Sequence, residues 1–264
     1  MNKILTILFF AINLFAYDVS VSIIPQKFVV KQIGGDKVNV NVMVLPGESP
    51  ATYSPKPKQL LNLKKSKLYF KIGVPFEKAW LNKFISINRE IKIIDFTKYI
   101  KKGKNPHTWL SPRLLKKEAL IVKESLIDID PKNKTFYENN FNNFIKKISE
   151  TDNKIKILLS NIKQRKFLIF HPSLYYFAKE YNLEEIPIEK EGKEASLKYV
   201  FKIIKIAKQN NIKIIFTSPE FSKKSAQLIA NKIGGKVISF SPLKYDILKN
   251  ILNVAKIINE YHRD

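Results

Sequence analysis

The stretch from Lys134 to about Lys163 carries apolar residues at helical spacing: Phe136, Tyr137, Phe141, Phe144, Ile148, Ile155, Leu158 and Leu159. A helix of roughly 30 residues runs about 45 Å at about 1.5 Å per residue. That length suits a strut between two lobes better than an element of one domain. On both sides of it strand and helix patterns alternate. Ahead of it, a strand from residue 19 turns into a helix after Pro25, VNVNVMVL (38–45) alternates strictly, and a four-proline loop fills 46–57. A short amphipathic helix, the strand 67–73, the helix 75–86, the strand 91–96 and the helix 111–129 follow. Behind it, strands are expected at 166–171, 212–218 and 236–240, with a strand and loop sharing 184–196 and helices at 173–182, 197–211, 222–235 and 245–261. Such alternation implies parallel sheets with helices on their faces. The expected fold is α/β: two lobes, each with a small parallel sheet flanked by helices, joined by one long linker helix. The expected divisions are a signal peptide at 1–16, an N-terminal lobe at 17–130, the linker helix at 131–165 and a C-terminal lobe at 166–264.

The start of the chain sets the compartment. A short basic segment, Met1-Asn2-Lys3, precedes ILTILFFAINLFA, which is too short to span a membrane comfortably and has signal-peptide proportions. Cleavage is expected after Ala16, giving an exported, periplasmic protein. The chain has no cysteine, hence neither a lipid-attachment thiol nor a disulfide framework. A formal charge of +24 raises the question of nucleic acid. The lysines are spread from end to end, however, and no arginine cluster interleaved with aromatics appears. A solvated lysine-rich surface, without a nucleic-acid partner, is the reading taken.

Chemistry-bearing residues are few. There are three histidines. His107 follows a strand and a loop of the first lobe, and His171 stands at the end of KFLIFH in the second. Ligands in open α/β sheets bind beyond the carboxyl ends of strands, so both face the expected cleft between lobes. Each could be a structural ring or a metal ligand, and the residues alone leave both readings open. His262, near the carboxyl terminus, reads as part of a frayed tail. Phosphate-loop, dinucleotide, nucleophile-elbow and HExxH motifs are all absent. Trp109, Tyr175 and Tyr176 are expected to build the apolar surroundings that orient the two rings.

Several stretches in order carry a resemblance: SIIPQKFVVKQIGGDKVNVNVMVLPGESPATYSPKP, NPHTWLSP, IDPKNKTFYENN, FHPSLYYFAKEYNL, IPIEKEGKEAS, IIFTSPEFSKKSAQLIANKIGG and FSPLKYDILKNILNVAKII. Over residues 19–258 the chain resembles the zinc/manganese-type solute-binding proteins of metal-ion ABC transporters, the ZnuA/TroA-like family. The resemblance implies a receptor, not an enzyme, that captures a divalent cation between its lobes and delivers it to an inner-membrane ABC permease. Zinc is the expected ion, with Mn²⁺ and Fe²⁺ as alternatives, and the protein is expected to be monomeric. A surface adhesin or interaction module on the same scaffold is the alternative function, and a metallohydrolase a more remote one.

The resemblance also implies up to four ligands. His107 and His171 match two of the positions. Ala51 stands where such proteins place a third histidine, and its methyl group cannot bind metal. An acidic ligand is implied just before the last helix, where Asp246 is the only carboxylate and Ser241 the other candidate. Since Zn²⁺ takes about four ligands, the deficit falls to Glu48, Glu191, Glu194, Glu220 and Asp246, together with water. The expected metal set is His107, His171, Glu191 and Asp246. The stretch FTKYIKKGKN ahead of His107 has lysines and no histidine, and so offers no auxiliary metal trap.

Overall fold

The computed structural model describes residues 16–101, 103, 105–189, 196–219 and 224–262. The expected signal segment up to residue 15, and Glu191, Glu194 and Glu220, lie outside the described residues.

Two four-stranded sheets form, every pairing in them parallel. The N-terminal lobe runs β1 (Tyr17–Val21), α1 (Ile24–Gly34), β2 (Val38–Val42), α2 (Pro57–Lys65), β3 (Leu68–Lys71), α3 (Pro75–Ile87), β4 (Lys92–Asp95) and α4 (Pro112–Ile129). The C-terminal lobe runs β5 (Lys166–Ile169), α6 (Tyr175–Glu180), β6 (Glu184–Pro187), α7 (Leu197–Gln209), β7 (Ile214–Thr217), α8 (Lys224–Ile233), β8 (Lys236–Ser239) and α9 (Ile247–His262). Strand order is β2-β1-β3-β4 in one and β6-β5-β7-β8 in the other. The same winding is used twice, and it reverses between β1 and β3 and again between β5 and β7. Between the lobes stands α5 (Lys134–Leu159), 26 residues long, about 39 Å by the usual rise.

Local chemistry places these elements. Proline occupies the first turn of α1, α2, α3 and α4, where its missing N–H costs nothing. Ser111 caps α4 by accepting from the Leu114 amide at 3.2 Å. The helix α8 stops at Gly234, whose φ is +61°, and a Cβ on the next residue, Gly235, would come within 2.6 Å of the Lys213 carbonyl oxygen. The inner strand β7 is apolar on both faces, as suits a parallel strand covered by helices, and its IIFT is buried throughout.

One continuous apolar core runs through both lobes. It includes Val21 and Phe70 of the first sheet, Phe144 and Ile148 of α5, Phe167 and Phe216 of the second sheet, and Val254 and Ile258 of α9. A separate cluster covers the far face of the C-terminal sheet. The last helix reaches back to the first lobe: Tyr245, just ahead of it, meets Phe28 of α1 edge-on with centroids 5.4 Å apart. His262 is not a frayed tail. It ends α9 with 1% of its surface exposed, and its carbonyl accepts from the Lys163 amide at 3.0 Å. Among the described residues no helix is long and apolar enough to cross a membrane.

Candidate metal centre

His107 and His171 come from opposite lobes and meet. Their ring centroids are 5.2 Å apart and the planes cross at 74°. His107 opens a short 3-10 turn, Thr108–Leu110, directly ahead of α4. His171 follows β5, whose end is extended by the Phe170 amide donating to the Phe216 carbonyl at 2.7 Å.

Each imidazole is held at Nδ1 by a different kind of group. Asn105 Oδ1 lies 2.8 Å from His107 Nδ1 and also accepts from the His107 backbone amide at 2.9 Å. The same amide group donates through Nδ2 to the Pro172 carbonyl at 2.7 Å, so one asparagine orients the first ring and grips the backbone beside the second. An amide oxygen only accepts, so Nδ1 of His107 carries the proton and Nε2 has the lone pair. Glu189 Oε1 lies 2.7 Å from His171 Nδ1, a carboxylate–histidine pair of the kind that orients metal-binding imidazoles. Glu189 follows β6; its amide donates to the Phe170 carbonyl at 3.0 Å, which continues the strand and turns its side chain toward His171.

Burial differs between the two rings. His107 is 8% exposed, with Trp109 packed against it at 5.1 Å between centroids. Burial, and next the adjacent His171, hold the His107 imidazole well below its ordinary pKa, so it stays neutral. The His171 side chain keeps 29% of its surface, which leaves the pair a route to solvent. Trp109 donates Nε1–H to the Pro242 carbonyl at 2.8 Å, tying the turn that carries His107 to the segment before α9.

The remaining candidates are placed as follows. Asp246 is exposed, and its Oδ1 accepts from the Lys249 amide at 3.0 Å, which makes it the N-cap of α9. Ser241 accepts from the Leu243 amide at 3.2 Å. Glu48 and Ala51 are exposed on the proline-rich loop, which is tied down where the Phe76 amide donates to the Pro50 carbonyl at 2.9 Å. Among the described residues no group of three or more His, Asp or Glu side chains is placed to hold a metal ion. The structure thus brings the two histidines together and does not bring Asp246 to them. It also adds Asn105 and Glu189, which the sequence reading passed over. For Glu189 a signal existed: in IPIE, Ile186 and Ile188 alternate with Pro187 and Glu189, so the carboxylate falls on the opposite face from the apolar pair.

Whole-chain comparisons place the fold in a family. The family described as zinc-uptake complex component A, periplasmic, matches residues 19–251. A solved ZnuA structure superposes with a TM-score of 0.90 at 39% identity, covering 93% of this chain and 99% of that one. The high-affinity zinc uptake system protein ZnuA of Bacillus subtilis is 26% identical over 235 residues, 80% of this chain and 74% of that protein. The manganese ABC transporter substrate-binding lipoprotein scaA of Streptococcus gordonii is 30% identical over 193 residues, 64% of this chain and 62% of that protein. With 233 consecutive positions matched by one family and a shared two-lobed fold, this chain belongs to the periplasmic component A family of zinc-uptake complexes.

Proposed function

We propose that the protein captures a divalent metal ion between His107 and His171 and hands it to an ABC permease. The family is the substrate-binding part of a transport system and not an enzyme. The observation that carries the reading is the ring separation. With Zn–N near 2.0 Å, a bound imidazole's centroid lies about 3.2 Å from the metal, and two such rings at a tetrahedral angle lie about 5.2 Å apart. The two centroids are 5.2 Å apart here, with the rings contributed by opposed lobes. Held at Nδ1 by Asn105 and Glu189, each ring would meet the cation through Nε2.

Zinc is the ion we assign, with Mn²⁺ and Fe²⁺ as alternatives, because imidazole-rich tetrahedral sites suit it best. We assign Glu191, two residues along the loop from Glu189, as the carboxylate of the shell, with water filling the remainder. Asp246 is left to cap α9. The lobes are taken as 17–130 and 166–264, with 131–165 between them. The protein acts outside the cytoplasm. Export into the periplasm, cleavage after Ala16 and a monomeric state complete the reading. The comparisons favour transport over the adhesin alternative.

The test is isothermal titration of chelator-stripped protein with Zn²⁺ and with Mn²⁺. Zn²⁺ should bind with Kd below about 10 µM, equivalent to about 7 kcal/mol, and His171→Ala should weaken it at least about tenfold, or about 1.4 kcal/mol. No binding tighter than that limit for either ion would remove the receptor reading.

A further inference from the structure

Ser218 stands just past β7, at the edge of the C-terminal sheet where His171 stands just past β5. These strands pair Leu168 with Ile215 and Ile169 with Phe216. Carried two residues on, that register sets Ser218 beside His171. On the other side Ile169 pairs with Pro187, and the same extension sets Glu189 beside His171, which the 2.7 Å bond between them realises. The faces agree as well. Phe167, Ile169, Ile214 and Phe216 point into the continuous core, while Leu168, Ile186, Ile188 and Ile215 point into the separate one. Alternation therefore puts Glu189, His171 and Ser218 on one face, in a row across three neighbouring strand ends. The row crosses the point where the strand order reverses, between β5 and β7, the place where open α/β sheets bind ligands.

Ser218 is 6% exposed, and its Oγ has no hydrogen-bond partner among the described residues. A buried hydroxyl left this way is destabilising, because its lost hydration is not replaced. At the same end of the N-terminal sheet a buried strand-end hydroxyl does find partners. There Ser22, just past β1, lies 2.6 Å from both the Tyr69 hydroxyl and Glu77 Oε1, and Glu77 also accepts from the Ile72 and Gly73 amides. A strand-end hydroxyl past β1 is thus satisfied in the first lobe, whereas the one past β7, in the row that holds His171, is not.

The geometry points to Ser218 as a positioning residue of the cation site. When the cation sits on His171, the Ser218 hydroxyl donates to the oxygen ligand, carboxylate or water, that completes the coordination shell on that side. This rests on the reading of the site as a divalent-cation receptor.

Ser218→Ala and Ser218→Thr in the metal-stripped protein test it, with Zn²⁺ titration, melting of the metal-free form and the visible spectrum with Co²⁺. In the alanine variant Zn²⁺ affinity should fall about tenfold, the range of an outer-shell loss, and the Co²⁺ bands should shift. Its metal-free Tm should hold or rise, because an unsatisfied buried hydroxyl has been removed. The threonine variant keeps the hydroxyl and should keep the wild-type affinity and spectrum. Wild-type Zn²⁺ affinity and Co²⁺ bands in Ser218→Ala overturn the proposal. So does a metal-free Tm that falls together with affinity, which would make the hydroxyl structural. Wild-type protein that binds neither Zn²⁺ nor Mn²⁺ sinks the receptor reading and this proposal with it, whereas normal binding in both wild type and Ser218→Ala sinks only the role of Ser218.

Discussion

His107 and His171 are held by chemically unlike partners, and the difference decides what each contributes. Asn105 offers a neutral oxygen at 2.8 Å, which fixes the tautomer of a buried ring without adding charge. Glu189 offers a carboxylate at 2.7 Å that is itself 5% exposed. A charged partner on Nδ1–H makes the far nitrogen a stronger donor to metal, and losing such a partner costs about 10–100-fold in metal affinity. Glu189→Gln should accordingly weaken Zn²⁺ binding about tenfold by titration at pH 7.5, since orientation survives and charge does not. Glu189→Ala should weaken it further, toward about a hundredfold, as both are lost. Equal affinities for wild type and Glu189→Ala would leave the carboxylate with no part in the site. The sequence already shows the two histidines, because few residues can do their chemistry and both follow strands. It does not show which of Glu189, Glu191 and Glu194 meets His171. That choice depends on how far β6 continues beside β5, and a glutamate-rich loop reads alike in any register.

At the scale of elements, the order of strands and helices is legible throughout, since period-2 and period-3.6 patterns alternate cleanly. The ends are less so. The linker reads to Lys163 but α5 closes at Leu159, where Ser160 Oγ turns back to donate to the Ile157 carbonyl at 2.9 Å and competes with the helix ladder. The helix α6 covers only Tyr175–Glu180, with Asn182 at φ +54° breaking its continuation. The largest misreading is the last turn of α9. A histidine two residues before the last one given looks like solvent-exposed tail, yet His262 docks beside the end of α5, and nothing local in the sequence announces a tertiary contact. Burial pushes its pKa down to about 4. Its folded pKa lies below the unfolded value of about 6.5, so the unfolded chain binds the extra proton. His262 therefore costs nothing above about pH 6.5 and removes stability as pH falls from there to about 4. Glu185 works in the opposite sense: burial raises its pKa to about 7, so its penalty grows as pH rises from about 4.3 to 7. In His262→Phe the drop in Tm between pH 7 and pH 5 should be smaller than in the wild type. Parallel curves for the two proteins would mean that the ring escapes to solvent before it is protonated.

Taken whole, the molecule is built to keep two imidazoles from different lobes at one distance. The long helix and α9 share a single core with both sheets, which leaves little freedom for a wide hinge. Around the cleft, polar contacts cross from lobe to lobe. Asn105 donates to the Pro172 carbonyl, the Tyr176 hydroxyl donates to the Asn105 carbonyl at 3.1 Å, and Glu180 at the end of α6 receives the Ser111 hydroxyl and the Arg113 amide. Glu180 thus places a carboxylate at the amino end of α4, where unsatisfied amides and the helix dipole favour negative charge. That helix begins five residues after His107, so the brace sets where the first ring stands relative to the second. A site assembled before the ion arrives loses less ordering entropy on binding. Glu180→Ala should raise amide exchange at Arg113 and neighbouring positions and weaken Zn²⁺ binding about three- to tenfold, or roughly 1 kcal/mol. Leu114 should be less affected, since Ser111 still caps its amide at 3.2 Å. Glu180→Gln can still accept from the Arg113 amide through its one oxygen, with its NH2 turned to donate to Ser111 Oγ, and should recover part of the affinity. If Glu180→Ala exchanges like the wild type and binds as tightly, the lobes are held by the shared core alone, and the contacts around the cleft follow the alignment of the rings without setting it.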